Sequence, residues 1–411
     1  MNLILTIAWT HVRHRARQTL VAIIGVMTGV GFSIMMAAMM EGSQDDFINT
    51  LVDALPHISI TDELREPTRQ PADLVYAAAE FHGLTPEVRR PGIKNPMATI
   101  ASLQTWVQGA LTPSVQSKAV LRFAGRNLTI SVVGIDPRTE ANVSNLSTHM
   151  QQGTLTSLYR SSNAILLGDR LAGKIGARVN SNLTLASAQG ANMTATVVGT
   201  FHSGFRATDE TTGYVLLRTA QILEKQTGLV NEIRVRTRDP MQARLISERI
   251  GEETGYKSIS WQEAQEDLLS TITLRNVLMY SIVGAILLVA SFGTYNIIST
   301  ITHEKTRDIA ILKSLGFRDR TIRAVFIIEA LLIGLAGSLL GWALGYLMTR
   351  GLGSLEFKTP FSDFTHLPVL YAPKHYLLAT AVALSSSLVA GYFPARAAAK
   401  LHPVDIIRGA T

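Results

Sequence analysis

Residues 277–298 read VLMYSIVGAILLVASFGTYNII, without a single charged side chain. An uninterrupted apolar run of this length reaches the ~20 residues that a helix needs to cross a bilayer. Three further runs have the same character: Thr19–Met40 and Tyr376–Phe393 carry no charge, and Ala324–Met348 carries only Glu329. Lipid offers the backbone no hydrogen-bond partners, so such runs fold as helices or as closed barrels, and these read as helices. The whole chain of 411 residues is 47% hydrophobic and only 17% charged, well below the ~25% charge of soluble domains. The first run exceeds the ~7–15 apolar residues of a cleaved signal and is expected to stay as an anchor.

Basic residues flanking the runs give an orientation. Arg13, Arg15 and Arg17 precede the first; Lys305, Arg307, Lys313, Arg318, Arg320 and Arg323 lie between the second and third; Arg396, Lys400 and Arg408 follow the fourth. The loop after the third run has Arg350, Lys358 and Lys374, offset by Glu356 and Asp363. The expected layout is a cytoplasmic amphipathic segment 1–18, spans at 19–40, 277–298, 324–348 and 376–393, a cytoplasmic segment 303–323, a short outer loop 349–375 and a cytoplasmic tail 394–411. Residues 41–270 then form an extracytoplasmic domain, large enough for its own core.

That domain reads as mixed α/β. HISITD (57–62) alternates as a strand, and PADLVYAAAEFHG (71–83) reads as a helix stopped by glycine. LTISVVGID (128–136), NAILLG (163–168), NLTLAS (182–187) and TATVVGTF (194–201) read as strands between turn residues. NEIRVRT (231–237), DPMQARLISERIGEETG (239–255) and YKSISW (256–261) read as strand, helix and strand, the helix capped by Asp, started by Pro and ended by Gly. The expected division is an outer part near 56–135 and 231–262 with a β-rich insertion near 150–220. The fold class is therefore a membrane protein of four transmembrane helices with a large α/β domain inserted between the first two.

Several chemistries find no foothold. The chain has no cysteine, hence no disulfide or thiolate site. It has no G-x-x-x-x-G-K-[ST] phosphate loop, no H-E-x-x-H and no G-x-S-x-G. The ten histidines are scattered, so neither a metal site nor an enzyme active site is expected. The net charge of +7 is accounted for by cytoplasmic flanks rather than by nucleic-acid binding.

The segment HEKTRDIAILKSLGFRDR (303–320) interrupts the apolar runs. Over 303–316 it reads as a short amphipathic helix with Ile309, Leu312 and Leu315 on one face, weak pairs Glu304–Arg307 and Lys305–Asp308, and Gly316 as its stop. Such a helix either lies on the membrane surface or docks into a groove on a cytosolic partner.

The stretch EKTRDIAILKSLGFRDRTIRAVFIIEALLIGLAGSLLGWALG (304–345) resembles the C-terminal block of the MacB/LolC/LolE/FtsX-type ABC transporter permeases. GYFPARAAAKLHPVDIIRG (391–409) is similar to the family's ending, with isoleucine where leucine is usual, and ILLGDRLAGKIGARVNSNLTL (165–185) to a stretch of its external domain. The resemblance implies a permease of the bacterial inner membrane, with both termini cytoplasmic, paired with an identical or paralogous second permease above a cytosolic ABC ATPase dimer. It implies no cofactor on this chain; ATP and Mg2+ belong to the ATPase. Glu304, Arg307, Asp308, Ile309, Leu312, Lys313 and Gly316 become the ATPase-coupling segment, which passes motion through the second span to the external domain.

Within the spans, Gly25 and Gly29, and Gly337, Gly341 and Gly345, have the four-residue spacing that lets helices approach closely. Ser385–Ser387 offer hydrogen bonds to a neighbouring helix. Glu329, six residues from Arg323, reads as a snorkelling or Arg-paired structural acid. By the resemblance, Met35, Met36, Met39 and Met40 either line a central substrate path or contact lipid. The cargo implied is a lipoprotein or another lipid-like molecule drawn from the outer leaflet, with a periplasmic carrier or adaptor as a further partner. Two alternatives stay open: a MacB-like efflux permease for drugs, toxins or peptides, and an FtsX-like signal transmitter. The turn SAQGANM (187–193) is short where the LolC branch carries a long carrier-recruiting hairpin, which points to a LolE-type partner or a homodimeric relative.

Overall fold

The computed structural model describes Thr10 and residues 16–64, 92–355 and 367–400. The expected helix at 71–83 and most of segment 1–18, with parts of loop 349–375 and of the tail, lie outside the described residues. The chain divides into two compact units, one built mainly from Phe47–Leu269 and the other from the residues before and after it.

Each apolar run forms one long helix: Ala16–Ala54, Glu266–Glu304, Asp319–Gly353 and Pro373–Ala399. All four are long and apolar enough to cross a membrane. The first two have 39 residues each, about 58 Å at 1.5 Å per residue, roughly twice the hydrocarbon thickness. Both helices therefore continue well past the apolar runs that predict them.

Glycine decides how the bundle packs. A Cβ on Gly337, Gly341 or Gly345 would lie 2.6, 2.7 or 3.0 Å from the Cβ of Val26, Val30 or Ile34 respectively. The third long helix thus offers a glycine groove to a β-branched ridge of the first, each with a four-residue repeat. Gly25 has nothing within 4 Å of such a Cβ, and Gly29 meets Leu287 and Ala290 of the second helix. The first helix therefore contributes Val26, Val30 and Ile34 to the groove, not its own glycine pair. On the far side, Gly334 sits against Ser387 and Gly391 against Ala330. Ser385 bonds its own helix at Ala381 O, and a polar link between the third and fourth helices is Trp342 Nε1–H to Thr380 Oγ1, 2.8 Å.

Polar groups mark the two ends of this bundle. At one end Glu41 takes His375 Nε2 at 2.5 Å and pairs with Lys374, while Asn276 donates to Gln44 Oε1 at 2.8 Å. At the other, Lys313 meets Asp319 Oδ1 at 3.0 Å and donates to Ala399 O at 2.8 Å, a cation on a helix C-terminus.

The α/β unit is organised by one 15-residue strand. Its strands are β1 (Ile58–Leu64), β2 (Gly109–Phe123), β3 (Arg126–Ile135), β4 (Met150–Gln152), β5 (Ala164–Gly168), β6 (Asn182–Ser187), β7 (Asn192–Phe201), β8 (Thr212–Leu216), β9 (Glu232–Thr237) and β10 (Tyr256–Ser260). The first half of β2, Gly109–Ser114, pairs with β9 and completes an antiparallel sheet in the order β10-β1-β9-β2. Pro113 is tolerated there because, among the described residues, only one edge of β2 is paired at that point. The second half pairs with β3 on one side and β6 on the other. The pairings β2–β3, β3–β8, β8–β5, β5–β7, β7–β6 and β6–β2 close a six-stranded ring. Alternate side chains fill it, among them Val115, Leu121, Ile130, Val132, Ile165, Leu183 and Val197. The insertion accordingly takes in β3 and half of β2, and begins well before the expected residue 150.

Helices Pro96–Gln104 and Ala243–Thr254 contribute to the core of the open sheet. Asp239 caps the turn into the latter, with Met241 N–H donating to its Oδ1, and Gly255 ends it at φ +70°. Arg234 of β9 donates to Glu140 Oε1 at 2.6 Å in full burial, and Ser114 donates to Glu232 Oε2 at 2.7 Å. Burial alone would lower the Arg234 pKa, but the Glu140 carboxylate holds it above the ordinary value.

Candidate functional site

The segment after the second long helix is built as a sharp two-turn connector. Helix Glu266–Glu304 breaks at Lys305, whose carbonyl accepts from Ile309 N–H at 2.9 Å. Thr306 Oγ1 donates to His303 O at 2.6 Å across the break. The short helix that follows is Thr306–Ser314, not 303–316. Its first expected turn belongs to the preceding helix, which is interrupted only where threonine offers the backbone a competing bond. The end is a Schellman motif: Gly316 N–H bonds Lys313 O at 3.0 Å, Phe317 N–H bonds Leu312 O at 3.2 Å, and Gly316 stands at φ +91°. A β-carbon at Gly316 would meet no steric obstacle, but it would strain this left-handed backbone.

Of the seven residues expected to couple, the structure turns two inward. Ile309 is buried with Ile298, Ile322, Phe326, Ala330 and Ala395, so its role is to seat the connector on the bundle. Lys313 is engaged with Asp319 and Ala399. Leu312 is half-buried, Glu304, Arg307 and Gly316 are exposed, and the side chain of Asp308 lies outside the described residues. The outward stripe is Arg307, Ile311 and Leu315, with Ile311 47% and Leu315 73% exposed. Their four-residue spacing puts one guanidinium and two large aliphatic side chains on a single face. Ile311 was missed because Ile309, Leu312 and Leu315 also fit a helical stripe; only the fold shows which stripe is consumed by packing.

The other expected residues are more structural. Met35, Met36 and Met40 are buried and Met39 is half-buried, so three of the four fill the packing of this chain rather than an open path. Glu329 is wholly buried in the bundle, which rules out snorkelling to an interface. In the α/β unit an open groove of about 740 Å³ runs beside Tyr159, Leu217 and Ile222. Tyr159 donates to Asp136 Oδ1 at 2.5 Å and carries Arg138 over its ring at 5.9 Å.

Comparison with known proteins fits this construction. Residues 19–253 match the family described as MacB-like periplasmic core domain, and residues 280–403 match FtsX-like permease C-terminal. The chain belongs to the family of ABC transporter permeases that join these two parts. Among its relatives, the lipoprotein-releasing system transmembrane protein LolC of Neisseria meningitidis is 24% identical, over 95% of this chain and 94% of that one. LolE of Haemophilus influenzae is 23% identical over 99% of each. A macrolide export ATP-binding/permease protein MacB of Paracoccus denitrificans is 27% identical over 78% of this chain and 46% of its own length.

Proposed function

We propose that this chain is the membrane subunit of an ABC transporter that draws a lipoprotein or similar acylated cargo from the outer leaflet of the inner membrane. A separate cytosolic ATPase dimer, holding ATP and Mg2+, docks on the Arg307–Ile311–Leu315 face. The α/β unit stands outside and moves when the ATPase closes. The single observation that carries the reading is that face: two aliphatic side chains and a cation, uncovered, on a connector whose other side is firmly seated. Burying both aliphatics would contribute about 1.5–3 kcal/mol each, and the guanidinium suits a carboxylate on the partner. The cargo class is supported by end-to-end similarity to LolC and LolE.

The bundle supports the topology. The connector lies at the opposite end of the bundle from Glu41 and His375, which supports a cytoplasmic connector with the α/β unit outside. The β6–β7 turn is short, Ser187 N–H bonding Ala191 O at 2.8 Å, which supports a LolE-type role or a homodimer over carrier recruitment by a long hairpin.

The test is copurification and cargo fate together. Ile311→Asp and Leu315→Asp should insert normally yet lose the ATPase, and depletion of the wild-type chain should leave acylated lipoproteins in the inner membrane. Full ATPase retention in both variants would refute the docking face. Drug sensitivity with normal lipoprotein release would favour efflux instead, and a copurifying wall hydrolase without cargo-stimulated ATP turnover would favour signalling.

A further inference from the structure

Strands β5 and β7 run parallel with Gly168 opposite Phe201. The next residue along each strand, Asp169 and His202, therefore leaves the barrel side by side. Asp209 joins them from helix Arg206–Thr211, whose backbone presses so closely on β5 that a Cβ on Gly168 would lie 2.1 Å from Asp209 O. His202 Nδ1 stands 2.9 Å from Asp169 Oδ2 and 3.5 Å from Asp209 Oδ2, and one ligand atom of each residue lies within 4.8 Å of the other two.

A second observation points to a ligand. Asp209 is fully buried. Its Oδ1 is satisfied by Ser203 N–H at 2.8 Å and Ser203 Oγ–H at 2.7 Å. Its Oδ2 makes no hydrogen bond among the described residues, and it shares with Asp169 Oδ2 the neighbourhood of His202 Nδ1. A buried carboxylate oxygen with no donor is costly. Arg206 Nε binds Glu210 Oε1 at 2.5 Å, and Lys174 lies 4.0 Å from Glu210 Oε2.

We propose that Asp169, His202 and Asp209 bind one divalent transition metal ion, with zinc preferred, outside the permease mechanism described above. One imidazole and two carboxylates form a mixed set that suits zinc better than magnesium or calcium. At zinc bond lengths of about 2.0–2.2 Å, tetrahedral ligand atoms stand about 3.4 Å apart, so the two histidine separations already fit within about half an ångström. Binding displaces the proton that Nδ1 shares with Asp169 Oδ2, and that proton passes to solvent. Asp169 is partly exposed, which gives an ion a path from solvent. The ion would fasten the ends of β5 and β7 to helix Arg206–Thr211 and make this rim of the barrel rigid.

The experiment uses the full-length chain in detergent, stripped by chelator, incubated with Zn2+ and desalted. One zinc per chain should remain on the wild type, and at least tenfold less on Asp169→Asn and His202→Ala. Hydrogen exchange gives an independent reading: zinc should slow amides 202–211 in the wild type and leave them unchanged in Asp169→Asn, a partly exposed substitution that preserves the fold even where Asp209→Asn does not. A wild type that retains no zinc, or an Asp169→Asn chain that retains as much, would overturn the proposal.

Discussion

The closed barrel and the second long helix show two ways of handling apolar surface. In the barrel, β2, β3, β5, β6, β7 and β8 bury their inward side chains against one another, and Val115, Leu121, Ile165 and Val197 are wholly enclosed. Along helix Glu266–Glu304, Leu274, Val277, Leu278, Val289 and Phe292 are all more than half exposed. The barrel is complete as one chain in water. The helix is complete only among hydrocarbon or other membrane helices. The connector after it belongs to neither kind: one face is sealed by Ile309, while Ile311 and Leu315 on the other are uncovered.

The largest expected effect breaks the self-sufficient side of this comparison. Glu140→Ala removes the carboxylate that Arg234 pairs with in the interior, and should destabilise the α/β unit by about 3–5 kcal/mol. Proteolysis of residues 47–269 in membranes should become rapid while the helices stay inserted. Protease resistance equal to the wild type would show that the pair does not hold the unit together.

Next comes a paired test in the membrane unit. Gly341→Ala drives a methyl to 2.7 Å from Val30 Cβ and should cost about 1–3 kcal/mol, read as a lower unfolding temperature in detergent. Gly25→Ala enters open space and should leave that temperature unchanged. Equal effects would remove the groove-and-ridge account.

How much of this was legible beforehand follows from the physics of each part. The spans were readable because a bilayer demands about 20 apolar residues in a row. Gly316 was readable because a helix end favours a residue that tolerates positive φ. Strand β2 was not, since Pro113, Gln116 and Lys118 suit an interior strand poorly; its pairing changes partners midway, a fact of topology and not of composition. The glycine groove on the third helix was legible, yet its ridge, Val26, Val30 and Ile34, was not, because a wholly apolar helix does not announce which face is packed. Asp169, His202 and Asp209 meet only through the β5–β7 register, so no spacing in the sequence foreshadows them.

The smallest effect sharpens the contrast within the α/β unit. His57 is buried, and its Nδ1 accepts from Thr237 N–H at 3.1 Å. Burial first, and then the charge of Arg236, pulls its pKa below 6.5, against the backbone hydrogen bonds at Thr237 and Val52 and the charge of Asp53. The folded state therefore holds a neutral ring while the unfolded chain takes up a proton below about pH 6.5. Stability should be fully present above that pH and fall as pH drops from 6.5 toward the folded pKa, by at most about 1.4 kcal/mol per pH unit. Thermal unfolding at pH 7.5 and 5.5 should show this slope in the wild type and a shallower one in His57→Gln.

The central claim is that the connector and the barrel lie on opposite sides of one membrane. The native chain has no cysteine, so Ser314→Cys and Gln189→Cys can be labelled singly with a membrane-impermeant maleimide. The account predicts that Gln189→Cys reacts in intact spheroplasts while Ser314→Cys reacts only after lysis. Reaction of both from the same side would contradict it.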